Sequence, residues 1–248
     1  MKQKIRFDCL LQIHYPEFSR RTIQLFIAQG QACLNGAVLC KPGQGVSPDA
    51  HVFLNAQKPK FVSRAGFKLE AALNEWDIDV EGAVCMDAGI STGGFTDCLL
   101  QYGAKIVYGV DVGSGQVDPK IAHDERVILL ENTNLKTMVN FSVMVDSVTL
   151  DLSFISVLKV MQAVNGILKP NGNLVVLIKP QFEVERHQIA RGGIVKNSDF
   201  RNAAVQNVVV GIELYGYTLH GIKQSPLTGA DGNIEFLAYF RKKSLCFL

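Results

Sequence analysis

Residues 84–97 of this 248-residue chain read Val84-Cys85-Met86-Asp87-Ala88-Gly89-Ile90-Ser91-Thr92-Gly93-Gly94-Phe95-Thr96-Asp97. The segment begins with a short apolar run that ends in an acid, continues with a glycine-rich turn, and then favours a helix. This order predicts a strand, a tight loop and a helix start, which is how open α/β sheets bind a cofactor that carries a nucleoside. The segment is neither Gly-x-Gly-x-x-Gly nor a turn that ends in Gly-Lys-Ser/Thr. We therefore expect an adenosine-type ligand without phosphates, which the glycines allow to approach the backbone closely.

A second acid stands at the end of the next predicted strand, which covers residues 105–111. In dinucleotide-binding folds, an acid roughly 20 residues beyond the glycine turn binds the ribose hydroxyls, and Asp111 lies at about that distance. A carboxylate that faces two hydroxyls makes charge-assisted hydrogen bonds. Alternatively, Asp111 only begins a turn, because Asp-Val-Gly-Ser-Gly is rich in turn-forming residues. The two features together favour cofactor binding.

Length and composition indicate one full α/β domain and a small additional unit. Hydrophobic residues make up 48% of the chain, enough for a large core, and the net charge is +2. The charge is unevenly spread, since residues 1–60 hold eight Lys or Arg against three acids. An electropositive N-terminal unit predicts a polyanionic partner, although an ordinary lysine-decorated surface has the same composition.

The cysteines and the apolar runs bear on the compartment. The six cysteines form neither a Cys-x-x-Cys pair nor a zinc-binding spacing, so no metal site is expected. Cys85 lies in an apolar strand and Cys98 on an apolar helix face, which favours core thiols in a reducing cytoplasm. Two lysines near the start resemble a signal peptide, but polar residues interrupt the apolar run that follows. No run reaches the ~18–20 apolar residues of a membrane span, so we expect no stable membrane association.

The N-terminal segment has the pattern of a small α+β unit. Residues 5–14 and 19–29 favour two short helices. Asn35-Gly36 separates two apolar runs, which is a strong signal for a two-residue hairpin. A further strand is expected at 51–54.

Two arginines, Arg20 and Arg21, fall in the first turn of the second predicted helix. Cations at that end oppose the helix dipole, so we expect both to serve something outside the helix. Two helices followed by a small β element, with arginines on the second helix, resemble an S4-type RNA-binding domain. Such a domain presents a basic helix edge to phosphates.

The remainder of the chain alternates between strand and helix patterns, which implies a parallel sheet. Strands are expected at 83–87, 105–111, 127–130, 147–151 and 174–179. Helices are expected at 64–75, 94–102, 154–168 and 200–215. The last two strands, 217–223 and 234–241, are separated by too few residues for a helical crossover, so the final strand should be antiparallel. The predicted organisation is a first domain at 1–57, a linker at 58–63 and a second domain at 64–248.

Four charged side chains are expected at one edge of this sheet. Asp151 and Lys179 end neighbouring strands, and ligands of open parallel sheets bind beyond the carboxyl ends of the strands. Glu235 opens the antiparallel strand, so it shares that edge, and Lys68 lies on the helix before the first strand. If the cofactor is a methyl sulfonium and the acceptor a ribose hydroxyl, that hydroxyl must lose its proton as it attacks, and two lysines held by two carboxylates are suited to assist this loss. Taken singly, Lys68 and Glu235 are also explained as surface charges.

The sequence motifs that mark methylation of a nitrogen or a carbon atom are missing at the end of the fourth predicted strand. Asn/Asp-Pro-Pro-Tyr/Phe is typical of amino-group methylation, whereas this chain has Asp151-Leu152-Ser153-Phe154 there. A cysteine near the same strand would indicate carbon-5 methylation of pyrimidines, but residues 99–245 contain none. These features favour an oxygen acceptor.

Phrases along nearly the whole chain resemble the TlyA (hemolysin A) group, S4-domain proteins with an FtsJ-like ribose methyltransferase domain. The matching phrases are Arg6-Phe7-Asp8, Ser19-Arg20-Arg21, Leu34-Asn35-Gly36, Lys41-Pro42, Ser63-Arg64-Ala65-Gly66-Phe67-Lys68-Leu69, Ser91-Thr92-Gly93-Gly94-Phe95-Thr96-Asp97, Val110-Asp111-Val112-Gly113, Asn132-Thr133-Asn134, Asp151-Leu152-Ser153-Phe154-Ile155-Ser156, Ile178-Lys179-Pro180-Gln181-Phe182-Glu183 and Asn233-Ile234-Glu235. Small departures are Ala88 and Ile90 around the first glycine, and Lys136 where arginine is usual.

The resemblance implies an α/β, Rossmann-like methyltransferase fold with a mostly parallel seven-stranded sheet, an antiparallel last strand and a small S4-like N-terminal domain. It implies S-adenosylmethionine-dependent 2′-O-methylation of ribosomal RNA, with cytidine as the usual base. The implied catalytic tetrad is Lys68, Asp151, Lys179 and Glu235. The implied cofactor-binding residues are Asp87, Gly89, Ser91, Thr92, Gly93, Gly94, Phe95, Asp111, Val112, Asn132 and Asn134. The implied RNA-binding residues are Arg6, Arg20, Arg21, Lys41 and Arg64.

Two other functions stay open at this point. The family name suggests a membrane-lytic protein, although no predicted amphipathic helix is long or basic enough to support one strongly. The chain is alternatively an RNA-binding assembly factor whose methyltransferase domain has no catalytic role, which the intact tetrad argues against. The sequence leaves open the oligomeric state, the ribosomal subunit and the nucleotide. The polar residues 182–199 are expected to form a lid.

Overall fold

The computed structural model describes residues 4–56, 60–138 and 141–244. Two compact units are present, Met1–Arg64 and Ala65–Leu248. Part of the predicted linker, and the sixth cysteine at position 246, lie outside the described residues. Each unit is described by itself below.

The N-terminal unit contains two helices and five very short strands. Its elements are β1 (Ile5–Arg6), α1 (Phe7–His14), α2 (Arg20–Ala28), β2 (Ala32–Leu34), β3 (Ala37–Val38), β4 (Gly45–Val46) and β5 (Val52–Leu54), in the part of the unit that the structure describes. The strands form a three-stranded sheet in the order β3-β2-β5 and a separate β1-β4 pair. Apolar side chains from both helices close the core, among them Phe7, Leu11, Ile23 and Phe26.

The predicted hairpin is confirmed, since Leu34 pairs with Ala37 across a turn formed by Asn35 and Gly36. The prediction of a helix from residue 5 is wrong at its start, because Ile5 and Arg6 pair with the loop strand β4. A two-residue strand has too few side chains to show a period of two, so sequence periodicity extended the helix over it.

The second unit is built on one large sheet. Its strands are β6 (Val84–Ala88), β7 (Ile106–Val110), β8 (Val127–Leu130), β9 (Val145–Leu150), β10 (Leu168–Ile178), β11 (Tyr217–Gln224) and β12 (Phe236–Lys242). Its helices are α3 (Ala65–Glu75), α4 (Gly94–Gln101), α5 (Pro119–Ala122), α6 (Met161–Ile167) and α7 (Ser198–Glu213). Short 3₁₀ helices cover Leu135–Thr137, Val157–Val160, Pro180–Phe182 and Arg186–Gln188.

Within the described residues the sheet has seven strands in the order β11-β12-β10-β9-β6-β7-β8. Strands β10, β9, β6, β7 and β8 pair in parallel, and β12 is antiparallel to both of its neighbours. The expected α/β architecture with an antiparallel last strand is therefore confirmed. The order doubles back between β9 and β6, and such a reversal is where open α/β sheets bind ligands.

Three details differ from the sequence prediction. Helix α5 has only four residues, too few for a visible apolar period; Asp118 caps it by accepting a hydrogen bond from the Lys120 amide. The helix expected from residue 154 begins at Met161, because an exposed loop and a 3₁₀ helix come first. Strand β10 begins at Leu168 rather than 174, with a register shift before Asn173; Pro170 and Gly172 interrupt the apolar pattern in its first part.

The core of this unit joins the central strands to α6 and α7. Residues Leu174–Ile178 are all buried, as expected of a parallel-sheet strand that is covered on both faces. Cys85 and Cys98 are buried thiols, as the sequence predicted. In the part of the chain that the structure describes, none of the helices combines the length and apolarity needed to cross a membrane.

Candidate active site

Three charged side chains stand next to one another on neighbouring strands at one edge of the sheet. Asp151 directly follows β9, and Lys179 directly follows β10. Ile178 pairs with Phe236, so Glu235, one residue before β12, continues that register opposite Lys179. Since β10 lies between β9 and β12, the edge carries Asp151, Lys179 and Glu235 in that order.

The first ion pair of this edge joins Lys179 to Asp151. The Lys179 Nζ lies 2.7 Å from the Asp151 Oδ1, and it is 2.9 Å from the Ser153 hydroxyl. The side chains of Lys179 and Asp151 are 11% and 16% exposed. The lysine head is therefore held in one place while remaining open to a ligand.

The second ion pair joins Lys68 of α3 to Glu235. The Lys68 Nζ lies 2.5 Å from the Glu235 Oε2, and the two side chains are 10% and 3% exposed. A buried charge is tolerated only when it is paired, so each residue accounts for the burial of the other. The surface-charge interpretation of Lys68 and Glu235 is wrong, because both side chains are buried and in direct contact, although they lie 167 positions apart in the chain.

The loop before β12 holds Glu235 in place. The Ser225 amide donates to the Glu235 carbonyl at 2.9 Å. The buried Asn233 side chain donates to the Gly193 carbonyl at 2.8 Å and accepts from the Val195 amide at 3.0 Å. Asn233 thus ties the segment expected to be a lid to the strand that carries Glu235.

A cleft of about 530 Å³ opens at the same edge, beside Asp151. This volume is typical of small-molecule sites. The residues that line the cleft are Gly89, Ser91, Val110, Asp111, Val112, Gly113, Gln116, Thr133, Asn134, Leu135, Asp151, Leu152, Ser153, Phe154, Ile155 and Val160. They come from the loops after β6, β7, β8 and β9, so the cleft spans the reversal point of the sheet.

Asp111 is fixed at the wall of this cleft. Its Oδ2 accepts from the Ser91 amide at 2.9 Å, and its Oδ1 accepts from the Gly113 amide at 2.8 Å. A carboxylate has about four acceptor sites, so both oxygens can still accept from a pair of ribose hydroxyls. The alternative that Asp111 only begins a turn does not explain why it faces the cleft.

Gly89 brings two chain segments into close contact at the base of the cleft. A Cβ at this position would lie 2.5 Å from the Asp151 carbonyl oxygen, and the φ of Gly89 is +88°. Both facts exclude a side chain here. Ser91 and Phe154, which also line the cleft, adopt positive φ values of 48° and 66°. Such strained residues concentrate at binding sites.

The implied cofactor-binding residues divide into two groups. Those that line the cleft are Gly89, Ser91, Asp111, Val112 and Asn134. Those that do not line it are Asp87, Thr92, Gly93, Gly94, Phe95 and Asn132. Gly94 and Phe95 are buried in the first turn of α4, and Asp87 lies fully buried within the sheet.

Sequence reasoning missed part of the cleft. Gln116, Leu135 and Ile155 line it but come from loops and a short 3₁₀ helix that have no apolar period. The only sequence signal for Leu135 was its position after Asn132-Thr133-Asn134, which the family resemblance had singled out.

Asp87 is a buried acid beneath the cleft. It accepts hydrogen bonds from the hydroxyls of Thr96 at 2.7 Å and Thr149 at 2.9 Å. Burial raises the pKa of Asp87 from 3.8 to about 7; the two hydroxyls oppose this rise, and the charge of Asp151 adds to it. Asp87 therefore links β6, β9 and α4 through a carboxyl group that titrates near neutrality.

We expect Asp87→Asn to change how stability depends on pH. The folded state binds the Asp87 proton more tightly than the unfolded chain, so wild-type stability should fall as pH rises from about 4 to about 7 and then level off. Asn keeps a side chain that can bond both threonines but does not titrate. Urea unfolding of both proteins at pH 5 and pH 8 measures this: the wild type should lose more stability between the two. Equal losses would contradict the assignment.

The implied RNA-binding residues lie in the N-terminal unit. Arg21 and Lys41 are exposed, and Arg64 is half-buried. Arg6 and Arg20 both contact the buried Asp8, at 3.0 and 3.2 Å. The expectation that Arg20 serves something outside its own helix is confirmed, because its partner Asp8 lies on α1.

The chain matches the family FtsJ-like methyltransferase over residues 61–242, which include the whole edge just described. It belongs to this family. A 16S/23S rRNA (cytidine-2′-O)-methyltransferase TlyA from Mycobacterium tuberculosis is 36% identical, over 98% of this chain and 92% of that protein. Hemolysin A from Brachyspira hyodysenteriae is 40% identical, over 90% and 93%.

A solved structure agrees with the assignment of this FtsJ-like methyltransferase. A candidate hemolysin from Streptococcus thermophilus superimposes with a TM-score of 0.74 at 37% identity, covering 98% of this chain and 90% of that chain. The cofactor is S-adenosylmethionine. The cleft fits this group: Gly89 leaves room at its base, and the Asp111 carboxylate is fixed where ribose hydroxyls can be accepted.

Proposed function

We propose that this FtsJ-like methyltransferase methylates the 2′-oxygen of a ribose in ribosomal RNA, with cytidine as the target nucleotide. The observation that carries the proposal is the row of two ion pairs, Lys68–Glu235 and Lys179–Asp151, beside the cofactor cleft. The tuberculosis relative, which carries this activity in its name, supports the substrate class. Ribosomal RNA as substrate implies that the enzyme works in the cytoplasm.

The residues have separate roles in this proposal. S-adenosylmethionine supplies a methyl group bound to a positively charged sulfur. Lys179 donates a hydrogen bond to the ribose oxygen and so assists loss of the hydroxyl proton to water while that oxygen takes the methyl group. Asp151 and Ser153 hold the Lys179 head group, and the negative charge of this edge favours binding of a positively charged methyl donor. The Lys68–Glu235 ion pair holds α3 against the start of β12, on the side of Lys179 away from Asp151.

The acceptor atom is inferred from the residues after β9. Asp151-Leu152-Ser153-Phe154 stands where an amino-group methyltransferase carries Asn/Asp-Pro-Pro-Tyr/Phe, and no cysteine lies at residues 99–245 to form a covalent bond with a pyrimidine. A hydroxyl oxygen needs neither device. It needs a cation and a carboxylate at hydrogen-bonding distance, and Lys179 and Asp151 provide them.

Phe154 supplies a surface for the target base. Its side chain is 91% exposed, its φ of 66° is strained, and its ring lies 5.2 Å from that of Phe182. Exposing a whole aromatic ring beside the cleft and at a strained φ has no packing benefit. It is explained by a base that stacks on the ring, since stacking contributes about 1–3 kcal/mol per base and offsets the cost of moving a nucleotide out of its helix.

We expect Phe154→Ala to lower kcat/KM for RNA about tenfold, which matches the loss of one stacked base. Phe154 also lines the cleft, so calorimetry on the same variant measures the affinity for S-adenosylmethionine and separates any loss there from the loss for RNA. Phe154→Trp should restore most of the activity. Tyr215→Ala, at the end of α7 and 39% exposed, is the matched control and should behave as wild type. Full activity of Phe154→Ala would show that no base stacks on the Phe154 ring.

The experiment that tests the proposal is transfer of tritium from labelled S-adenosylmethionine to purified 30S and 50S ribosomal subunits and to free 16S and 23S rRNA. The proposal expects label in RNA, and 2′-O-methylcytidine after nuclease digestion. Calorimetry with S-adenosylmethionine is run alongside. Cofactor binding without any label transfer would instead support an RNA-binding assembly factor.

A further inference from the structure

The N-terminal unit contains a fully buried carboxylate beneath two exposed arginines. Asp8 is 0% exposed. The Arg6 guanidinium binds it through two parallel bonds, Nε to Oδ1 and Nη2 to Oδ2, both at 3.0 Å. Arg20 donates from Nε to Oδ2 at 3.2 Å, and Gln24 donates to the same oxygen at 2.6 Å. One carboxylate thus holds two guanidinium groups from different elements, β1 and α2.

The cluster of Asp8, Arg6 and Arg20 is fixed by these hydrogen bonds and carries a net positive charge. Burial alone would raise the pKa of Asp8, yet the hydrogen bonds from Arg6, Gln24 and Arg20 outweigh burial and hold the pKa far below its ordinary value. Asp8 is therefore ionised and cancels one of the two positive charges. The side chains of Arg6 and Arg20 stay 51% and 46% exposed, so one net positive charge faces solvent.

The guanidinium groups keep unused donors. Within residues 4–56, the terminal nitrogens of Arg20 make no hydrogen bond to a protein oxygen, and Arg6 binds Asp8 through Nε and Nη2 and also lies beside Cys9. A guanidinium presents five N–H groups in a fixed fork that matches a phosphate. Asp8 accepts from one edge of the Arg6 fork and from the Nε of Arg20, so both guanidinium groups are held beside the same carboxylate.

The loop before β4 is shaped to admit Arg6. A Cβ at Gly43 would lie 3.3 Å from the Arg6 Nη1 and 3.5 Å from its Cζ, so the guanidinium lies directly against a residue without a side chain. The amides of Phe7 and Asp8 donate to the Gln44 and Pro42 carbonyls at 2.9 and 3.0 Å, which fixes this loop. The exposed Lys41 opens the same loop and adds a further positive charge.

We propose that Asp8 is a positioning residue that makes Arg6 and Arg20 one preorganised receptor for a phosphodiester of the RNA. This rests on the proposed function, since RNA is the substrate named there. A flexible arginine loses side-chain entropy when it binds a phosphate. Two arginines already held by Asp8 avoid that loss, so the buried negative charge strengthens binding to a polyanion.

The test compares two substitutions with the same charge change. Asp8→Asn and Glu17→Gln each remove one negative charge from the N-terminal unit, and Glu17 is an exposed residue. Simple electrostatics predicts slightly tighter RNA binding for both. The proposal expects Asp8→Asn to bind about tenfold more weakly, the effect of losing one charge-assisted contact, while Glu17→Gln binds at least as tightly as wild type. The full chain is titrated with labelled 16S and 23S transcripts, without methyl donor, across a range of KCl concentrations.

A double-mutant cycle separates positioning from mere folding. In the Arg20→Ala background, Asp8→Asn should cost clearly less affinity than in the wild type, because its effect passes through Arg20. Asp8→Asn should also lower the slope of log affinity against log salt, by up to about one phosphate contact. A purely structural role would leave slope and coupling unchanged, and Asp8→Asn binding as tightly as Glu17→Gln would overturn the proposal.

If Asp8→Asn does not fold, as judged by circular dichroism, Arg20→Lys takes its place. Lysine keeps the charge but lacks the fork, so weaker binding is expected and wild-type binding would overturn the proposal. The binding assay contains no methyl donor, so its outcome is separate from that of label transfer. If the variants bind RNA as tightly as the wild type while the wild type methylates rRNA, the proposed phosphate receptor is ruled out and the proposed function stands.

Discussion

Lys179→Ala is expected to reduce methyl transfer to RNA by about 10²–10⁴-fold, the range that a positioned proton-transfer group contributes, while S-adenosylmethionine still binds. Lys179 lies 2.7 Å from Asp151 and 2.9 Å from Ser153, and it does not line the cofactor cleft. Its loss therefore removes a group that acts on the acceptor, not the donor. Single-turnover tritium transfer measures the rate, and calorimetry measures cofactor affinity.

The matched control is Lys169→Ala. Lys169 lies near the beginning of β10, at the end of the strand opposite to Lys179. It pairs with Asp146 at 2.6 Å, with both side chains about 40% exposed, and an exposed pair of this kind contributes about 0–1 kcal/mol. Lys169→Ala should transfer methyl groups at the wild-type rate. If the two variants lose activity equally, the assignment of Lys179 to the reaction is wrong.

Breaking the buried Lys68–Glu235 pair is expected to have the largest effect on stability. Lys68→Met or Glu235→Leu leaves one charge without a partner at a position that is at most 10% exposed. The expected loss is about 3–5 kcal/mol of unfolding free energy, with loss of methyl transfer. The double variant Lys68→Met/Glu235→Leu leaves no unpaired charge, so it should recover most of the stability.

Activity of the double variant separates support from chemistry. If the charges themselves serve the reaction, the double variant stays inactive although it is stable. The Lys223–Glu75 pair is the control, because it also joins α3 to the sheet, here to β11 beside β12, but at an exposed position. Glu75→Gln should cost no more than about 1 kcal/mol. A Lys68→Met/Glu235→Leu variant that is both stable and active would contradict a role of the Lys68 and Glu235 charges in the reaction.

The sequence predicted the sheet well because most of its strands are short, largely apolar segments, several of which are followed by an acid or a lysine. Leu174–Ile178 is a continuous apolar run, and the charge that follows it led to the prediction of a site at that edge. Glu235 could be placed at the same edge only through the topology of the last strand. That Lys68 contacts Glu235 was not predictable from periodicity, because the contact joins residues 167 positions apart.

Other features left no signal in the sequence. The exposure of Phe154 follows from a loop that delays α6 until Met161, and the sequence pattern there favoured a helix. The Asp8 carboxylate is reached by Arg20 and Gln24 from 12 and 16 residues away. These contacts depend on how α1 packs against α2. Neither the composition nor the charge count of the chain gives information on that packing.

The most direct test of the whole account is mass analysis of the nucleosides of rRNA after incubation with S-adenosylmethionine and either the wild-type protein or Lys179→Ala. The account predicts 2′-O-methylcytidine with the wild type and almost none with Lys179→Ala, although both proteins bind the cofactor. A methyl group on a base, or equal 2′-O-methylcytidine from both proteins, would contradict it.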